Sequence, residues 1–145
     1  MTIHSINIDK LREYVDATFE GDDDILFYYD KKEKVKTIPE ACENIVNKIG
    51  IVYNGSELRG IKINGHKVGY FVYTDELLIS FGLNKCYRNK AILTDMWEHI
   101  KLEVGDEFQC LLYSYNVRAV DWLRRCGMDV LFDNVTVLRF QNHLN

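Results

Sequence analysis

The dipeptide Asn64-Gly65 sits between two β-prone runs, Leu58 to Ile63 and His66 to Tyr73, and no other feature constrains the chain as tightly. A two-residue connection between antiparallel strands needs positive φ at both positions. Asparagine and glycine tolerate that, so the segment reads as a hairpin with a type I′ turn. Thr74-Asp75 turns the chain again into a third run, Glu76 to Leu83. Three consecutive antiparallel strands therefore form a meander in the middle of the sequence.

The hydrophobic period is helical on either side. Upstream, Leu11, Tyr14, Val15 and Phe19 form a stripe that stops at Gly21. Thr37-Ile38-Pro39-Glu40 is a capping box with proline in the first turn, followed by Ala41, Ile45, Val46 and Ile49 and a stop at Gly50. Ile25 to Tyr29 reads as a short β-prone run, and the polar runs Gly21-Asp22-Asp23-Asp24 and Lys31-Lys32-Glu33-Lys34 as solvated turns. Downstream, Ile92, Leu93, Met96, Trp97, Ile100 and Val104 make one apolar stripe ended by Gly105. A strand follows over Glu107 to Tyr113. Asn116 then caps a short helix with Arg124 and Arg125 in its last turn and Gly127 at C′. Met128 to Phe132 and Val135 to Phe140 are two closing strands, joined through Asp133-Asn134, and an optional strand precedes the first helix. This order predicts an α+β fold: a mixed, largely antiparallel sheet with helices on both faces. Residues 1–57 form an N-terminal helical part and 58–140 the sheet-bearing core of a single domain.

Composition narrows the function classes. At 145 residues, one core suffices without disulfides or metal. Apolar residues are 47% and charged residues 28%, the balance of a soluble globular chain. Lys plus Arg is 18 against 22 for Asp plus Glu, and the net charge of −4 argues against nonspecific binding to nucleic acid or anionic membrane. No apolar run approaches the roughly 18 residues of a membrane span. The N-terminus has neither a basic nor an apolar leader region, so a cytoplasmic protein is expected. Cys42, Cys86, Cys110 and Cys126 have no metal or redox spacing, and Cys110 and Cys126 lie in apolar, core-like patterns. The four histidines show no ligand spacing, so no metal is expected; His99 reads as a surface partner of Asp95.

Two segments carry a resemblance. Leu83-Asn84-Lys85-Cys86-Tyr87-Arg88-Asn89-Lys90-Ala91-Ile92-Leu93 is similar to the strand-to-helix junction of the GNAT superfamily of N-acetyltransferases, where an R-x-x-G-x-G/A loop opens a helix. Asn116 to Met128 resembles the family's "Asn-x-x-Ala … Gly-Phe" helix in length and at Asn116, Ala119 and Gly127. The likeness covers roughly residues 58–140. It implies acetyl-coenzyme A as cofactor, its diphosphate held on the N-terminal amides of the helix, with Arg88, Asn89, Lys90 and Ala91 at that loop and Asn116 on the pantetheine or phosphate arm. The chain departs from the pattern at three glycine or alanine positions, now Asn89, Ala91 and Leu93, of which leucine is the bulky one. A second departure is at Leu123, where many members carry the tyrosine that protonates the departing thiolate. Tyr113 and Tyr115 are the candidate substitutes, and Glu76, beside Asp75, the candidate base.

Trp122, flanked by Arg118 and Arg125, has the composition of an interface hot spot. A leucine-filled loop and a missing acid favour a non-catalytic structural or assembly subunit, with protein partners or a homo-oligomer, similar to the GNAT-like proteins of tailed-phage particles. Such a chain would be found in the host cytoplasm or the virion. The alternative is an acetyl-coenzyme A-dependent N-acetyltransferase with a divergent loop. A scaffold subunit would have the cleft between the fourth and fifth strands filled by side chains such as Leu93, and an enzyme would have it open.

Overall fold

Asn64 and Gly65 adopt φ values of 52° and 80°, the conformation the hairpin requires. They are seen in a computed structural model that describes residues 1–28, 35–133 and 137–142. The hairpin joins β2 (Glu57–Ile63) to β3 (His66–Thr74), and the turn at Asp75 leads into β4 (Leu77–Leu83). β1 (Thr2–Ser5) lies antiparallel against β2, so the N-terminal part supplies a strand as well as helices. With β5 (Gln109–Tyr113), β6 (Met128–Asp133) and β7 (Val137–Asn142), the sheet order is β1-β2-β3-β4-β5-β7-β6. Every pairing is antiparallel except that of β4 with β5.

The helices cover both faces, as the alternation of apolar side chains along β3 demands. On one face α1 (Ile8–Phe19), the single turn α2 (Ile25–Tyr28) and α3 (Ile38–Ile51) bury Leu11, Val15, Ile45 and Ile49 against Tyr70 and Val72. On the other, α4 (Lys90–Val104) and α5 (Val117–Arg125) bury Met96, Trp97, Ile100 and Leu123 against Phe71, Leu78 and Phe140. Local start and stop signals act as read: Thr37 accepts the Glu40 amide, Asn116 that of Ala119, and Gly105 and Gly127 take φ of 119° and 90°.

Three local expectations change. Ile25–Tyr28 is a helical turn, not a strand: the Ile25 and Leu26 amides bond back to the Asp22 and Asp23 carbonyls, and Ile25 buries its side chain with α1 and α3. α3 passes through Gly50, because the Val52 amide still reaches the Lys48 carbonyl at 2.8 Å, and the positive φ falls on Gly55 instead. β5 starts at Gln109, two residues later than expected. The Lys31-Lys32-Glu33-Lys34 run, Tyr29, Asn134 and Val135 lie outside the described residues.

α1 rests closely on the strand that matters most for the site. A methyl group on Gly82 would stand 2.6 Å from Thr18 Cγ2, inside contact distance, and Thr18 is itself buried with its hydroxyl donating to the Tyr14 carbonyl. Gly82→Ala is expected to push α1 off β4 and to lower stability by about 1–3 kcal/mol. Urea unfolding of the variant checks this, and an unchanged midpoint would contradict the close approach.

Candidate functional site

β4 and β5 are held together at one end only. Leu77 pairs with Gln109 and Leu78 with Cys110, and there the parallel ladder stops. On its other side β4 changes register: Ser80 faces Val72 but Leu78 faces Tyr73, which makes Ile79 the extra residue of a bulge. A bulge bends its strand and increases the local twist. β5 meanwhile follows β7 through all five of its residues. The two strands therefore diverge, and a cleft of about 430 Å³ opens between their facing edges. It passes from the α4–α5 face of the sheet, at Leu93, Met96 and Asn116, to the α1–α3 face, at Phe19, Ile45 and Ile49. Trp122 is a wall of this cleft. Its ring lies 5.4 Å from Phe81 and 5.4 Å from Trp97, so it packs inward rather than presenting an interface hot spot.

Asp22 organises the mouth. Its side chain is only 2% exposed, and its Oδ2 meets Arg88 Nη2 at 2.6 Å and Arg118 Nη2 at 3.3 Å. Arg88 also donates through Nε to the Leu83 carbonyl at 2.7 Å, and Arg118 reaches Asp24 at 3.2 Å. One carboxylate thus ties the α1–α2 turn to the segment after β4 and to the first turn of α5. The solvated turn expected at Gly21 to Asp24 is instead anchored, because a buried carboxylate needs charged partners and has two. Arg88, expected to be a phosphate contact, is engaged internally.

The remaining candidates divide. Arg88, Tyr113 and Asn116 line the cleft. Asn89, Lys90 and Ala91 are exposed at the start of α4, between the lining residues Arg88 and Leu93. Asn89 caps its own helix by accepting the Ile92 amide at 3.0 Å, and its carbonyl takes the Leu93 amide. The amides of Lys90 and Ala91 have no partner among the described residues. Leu93 belongs to the second turn of α4 and borders the open cleft rather than filling it. Tyr113 Oη accepts from Lys48 Nζ at 3.2 Å, and Tyr115 stacks on the Tyr113 ring at 5.5 Å without lining the cleft. Leu123 is wholly buried in the core.

Glu76 does not come to the site. It is exposed in the turn before β4, at the closed end of the splay, where its carbonyl accepts the Gln109 amide. Neither it nor Asp75 lines the cleft. Among the described lining residues there is no Asp, Glu, His or Cys, and the charged ones are Lys48, Arg88 and Arg118. Burial raises the thiols of Cys42 to about 12 and Cys126 to about 11, so neither is a poised nucleophile. Among the described residues no His, Cys, Asp and Glu group could hold a metal ion, and no helix is long and apolar enough to cross a membrane.

Sequence reasoning missed Asp22 and Lys48. Asp22 looked like one member of a polar run, and its partners are 66 and 96 residues away. Lys48 was not singled out, and its partner lies 65 residues on.

No protein-family profile and no curated protein sequence matches the chain. Solved structures do. A protein of Streptococcus mutans UA159 superimposes with a TM-score of 0.65 at 14% identity, each chain covered in full. A phosphinothricin acetyltransferase of the GNAT superfamily from Sinorhizobium meliloti, solved with acetyl-coenzyme A, gives 0.62 at 14% identity over 97% of this chain and 86% of that one. A ribosomal-protein-alanine N-acetyltransferase from Brucella melitensis gives 0.56 at 13% identity over 99% and 100%. The chain has the GNAT fold.

The Asp22 junction makes a graded prediction. Asp22→Asn and Arg88→Ala each break a buried pair and should cost about 2–4 kcal/mol, whereas Arg118→Ala, at a side chain 39% exposed, should cost under about 1 kcal/mol. Equal losses in chemical denaturation at all three positions would contradict this ranking.

Proposed function

We propose that the cleft binds an acyl-coenzyme A and that the chain is an acyltransferase of GNAT fold acting on an amine acceptor. The observation that carries this reading is the divergence of β4 from β5 after two paired residues. It leaves unpaired strand edges on both sides of an open cleft, ready to hydrogen-bond the amides of a pantetheine arm. The free Lys90 and Ala91 amides at the start of α4 suit a diphosphate, favoured there by the helix dipole. Coenzyme A accompanies one structure of the same fold and acetyl-coenzyme A another, which supports the choice of ligand.

In the transfer, the acceptor nitrogen attacks the thioester carbonyl, the carbon–sulfur bond breaks, and the leaving thiolate takes up a proton. Tyr113 is the candidate donor: it lines the cleft, and its oxygen accepts from Lys48. None of the described lining residues offers a base, so the acceptor arrives as the free amine or loses its ammonium proton to water, and the proton the nitrogen sheds on forming the amide also passes to water.

A binding module without turnover is the second reading, and the lack of a carboxylate or histidine among the described lining residues favours it. The plugged cleft expected of a scaffold subunit does not occur, because Leu93 borders the opening. The structural comparisons lend no support to a place in a phage particle.

Acetyl-coenzyme A at about 100 times its dissociation constant should stabilise the chain by about 2.7 kcal/mol and raise the melting midpoint by roughly 5–10 °C. A thermal-shift titration checks this. No shift at millimolar ligand would remove both readings, while a shift without thiol release from any amine in a broad panel would select the second.

A further inference from the structure

The cleft runs through the sheet, from the face covered by α4 and α5 to the face covered by α1 and α3. On the α1–α3 side of the β4–β5 opening its walls are Phe19, Ile25, Ile45, Ile49 and Ile79, with Lys48 and the hydrogen-bonded pair Tyr70 and Ser80 beside them. The five apolar walls belong to the apolar cluster of that face, with Ile25 and Ile45 each about 9% exposed and Phe19 7%. Ile79 is delivered there by the bulge in β4, which adds an apolar residue at the point where the strands part.

The charges point the same way. Every charged residue lining the cleft is a cation, and no carboxylate faces into it among the described residues. A protonated amine in this chamber would meet no carboxylate among the described residues and would stand beside the cation Lys48, so its charge would go uncompensated. A hydrocarbon tail carried by an anionic carrier meets branched apolar side chains on the α1–α3 side, with Lys48 among them and the Asp22-paired Arg88 and Arg118 towards the mouth. The 430 Å³ of the cleft is within the range of about 300–1,000 Å³ common to small-molecule sites.

We infer that the chamber is an acyl-chain pocket and that the preferred ligand is a medium-chain acyl-coenzyme A, of about six to ten carbons, rather than acetyl-coenzyme A. Ile45, Ile49 and Ile79 set the chain length. The inference rests on the coenzyme A reading of the cleft and is separable from it. The reading concerns the carrier, and the pocket concerns what the carrier holds.

Calorimetric titration of the full chain with coenzyme A, acetyl-coenzyme A and octanoyl-coenzyme A, below the concentration at which the last forms micelles, tests both. Burial of a methylene is worth about fourfold in affinity, so octanoyl-coenzyme A should bind at least about 30-fold more tightly than acetyl-coenzyme A even with incomplete burial. Ile45→Phe, which fills part of the chamber, should move the optimum to butanoyl or shorter. If that variant fails to fold, Ile79→Phe makes the same test from the opposite wall. Equal affinity for acetyl and octanoyl thioesters overturns the acyl pocket and leaves the carrier reading standing. Binding of octylamine that tightens in the presence of acetyl-coenzyme A also overturns it, by assigning the chamber to an apolar acceptor. No heat from any of the three thioesters overturns carrier and pocket together.

Discussion

A parallel contact two residues long is the constraint on which the site depends. If β4 and β5 stayed paired beyond Leu78 and Cys110, the sheet would be continuous and α4 and α3 would face separate, closed cores. Instead β5 follows β7 and β4 bends at Ile79, so the sheet is open in its middle and the two cores meet at one cleft. The cost is a set of unpaired backbone groups along two strand edges. Their exposure to the cleft, where water or a ligand can reach them, is what makes the arrangement tolerable.

The mouth of that cleft is stabilised by charge. Asp22 gathers Arg88 and Arg118 from segments far apart in the chain and fixes the turn after α1 beside the start of α5. A glycine-rich junction would leave its arginine free and its amides bare. Here the arginine is clasped, Asn89 uses one amide for its own cap, and two amides remain open. The junction is therefore reduced rather than abolished. That distinction decides between a blocked cleft and an open one, and Leu93 at the border of the opening agrees with the latter.

Much of the fold could be read from local chemistry. Asn64-Gly65, the Thr37 and Asn116 caps and the glycines at 105 and 127 act within a few residues of themselves, and each did what its type requires. The single turn at Ile25 was misread because its residues are β-prone, while burial between α1 and α3 and bonds back to Asp22 and Asp23 outweigh that preference. The site was harder. Asn116 and Tyr113 follow from a motif or from strand position, and both line the cleft. The pairing of Asp22 with Arg88, the bond from Lys48 to Tyr113 and the bulge at Ile79 are tertiary events, with no short-range pattern to betray them. Glu76 illustrates the converse. Its nearness to β4 in sequence suggested a base, but the splay opens at the other end of that strand.

The central claim is that the gap between β4 and β5 receives the pantetheine arm of a coenzyme A thioester, with the diphosphate at the start of α4. The most direct test is a titration of ¹⁵N-labelled protein with acetyl-coenzyme A, followed by amide chemical shifts. The account predicts saturable shifts concentrated at Ser80 to Leu83, at Lys90 and Ala91, and at Leu112 and Tyr113. Saturable shifts centred elsewhere, such as the exposed Ile51 and Val52 at the end of α3, would contradict it. A spectrum unmoved at millimolar ligand would do so as well.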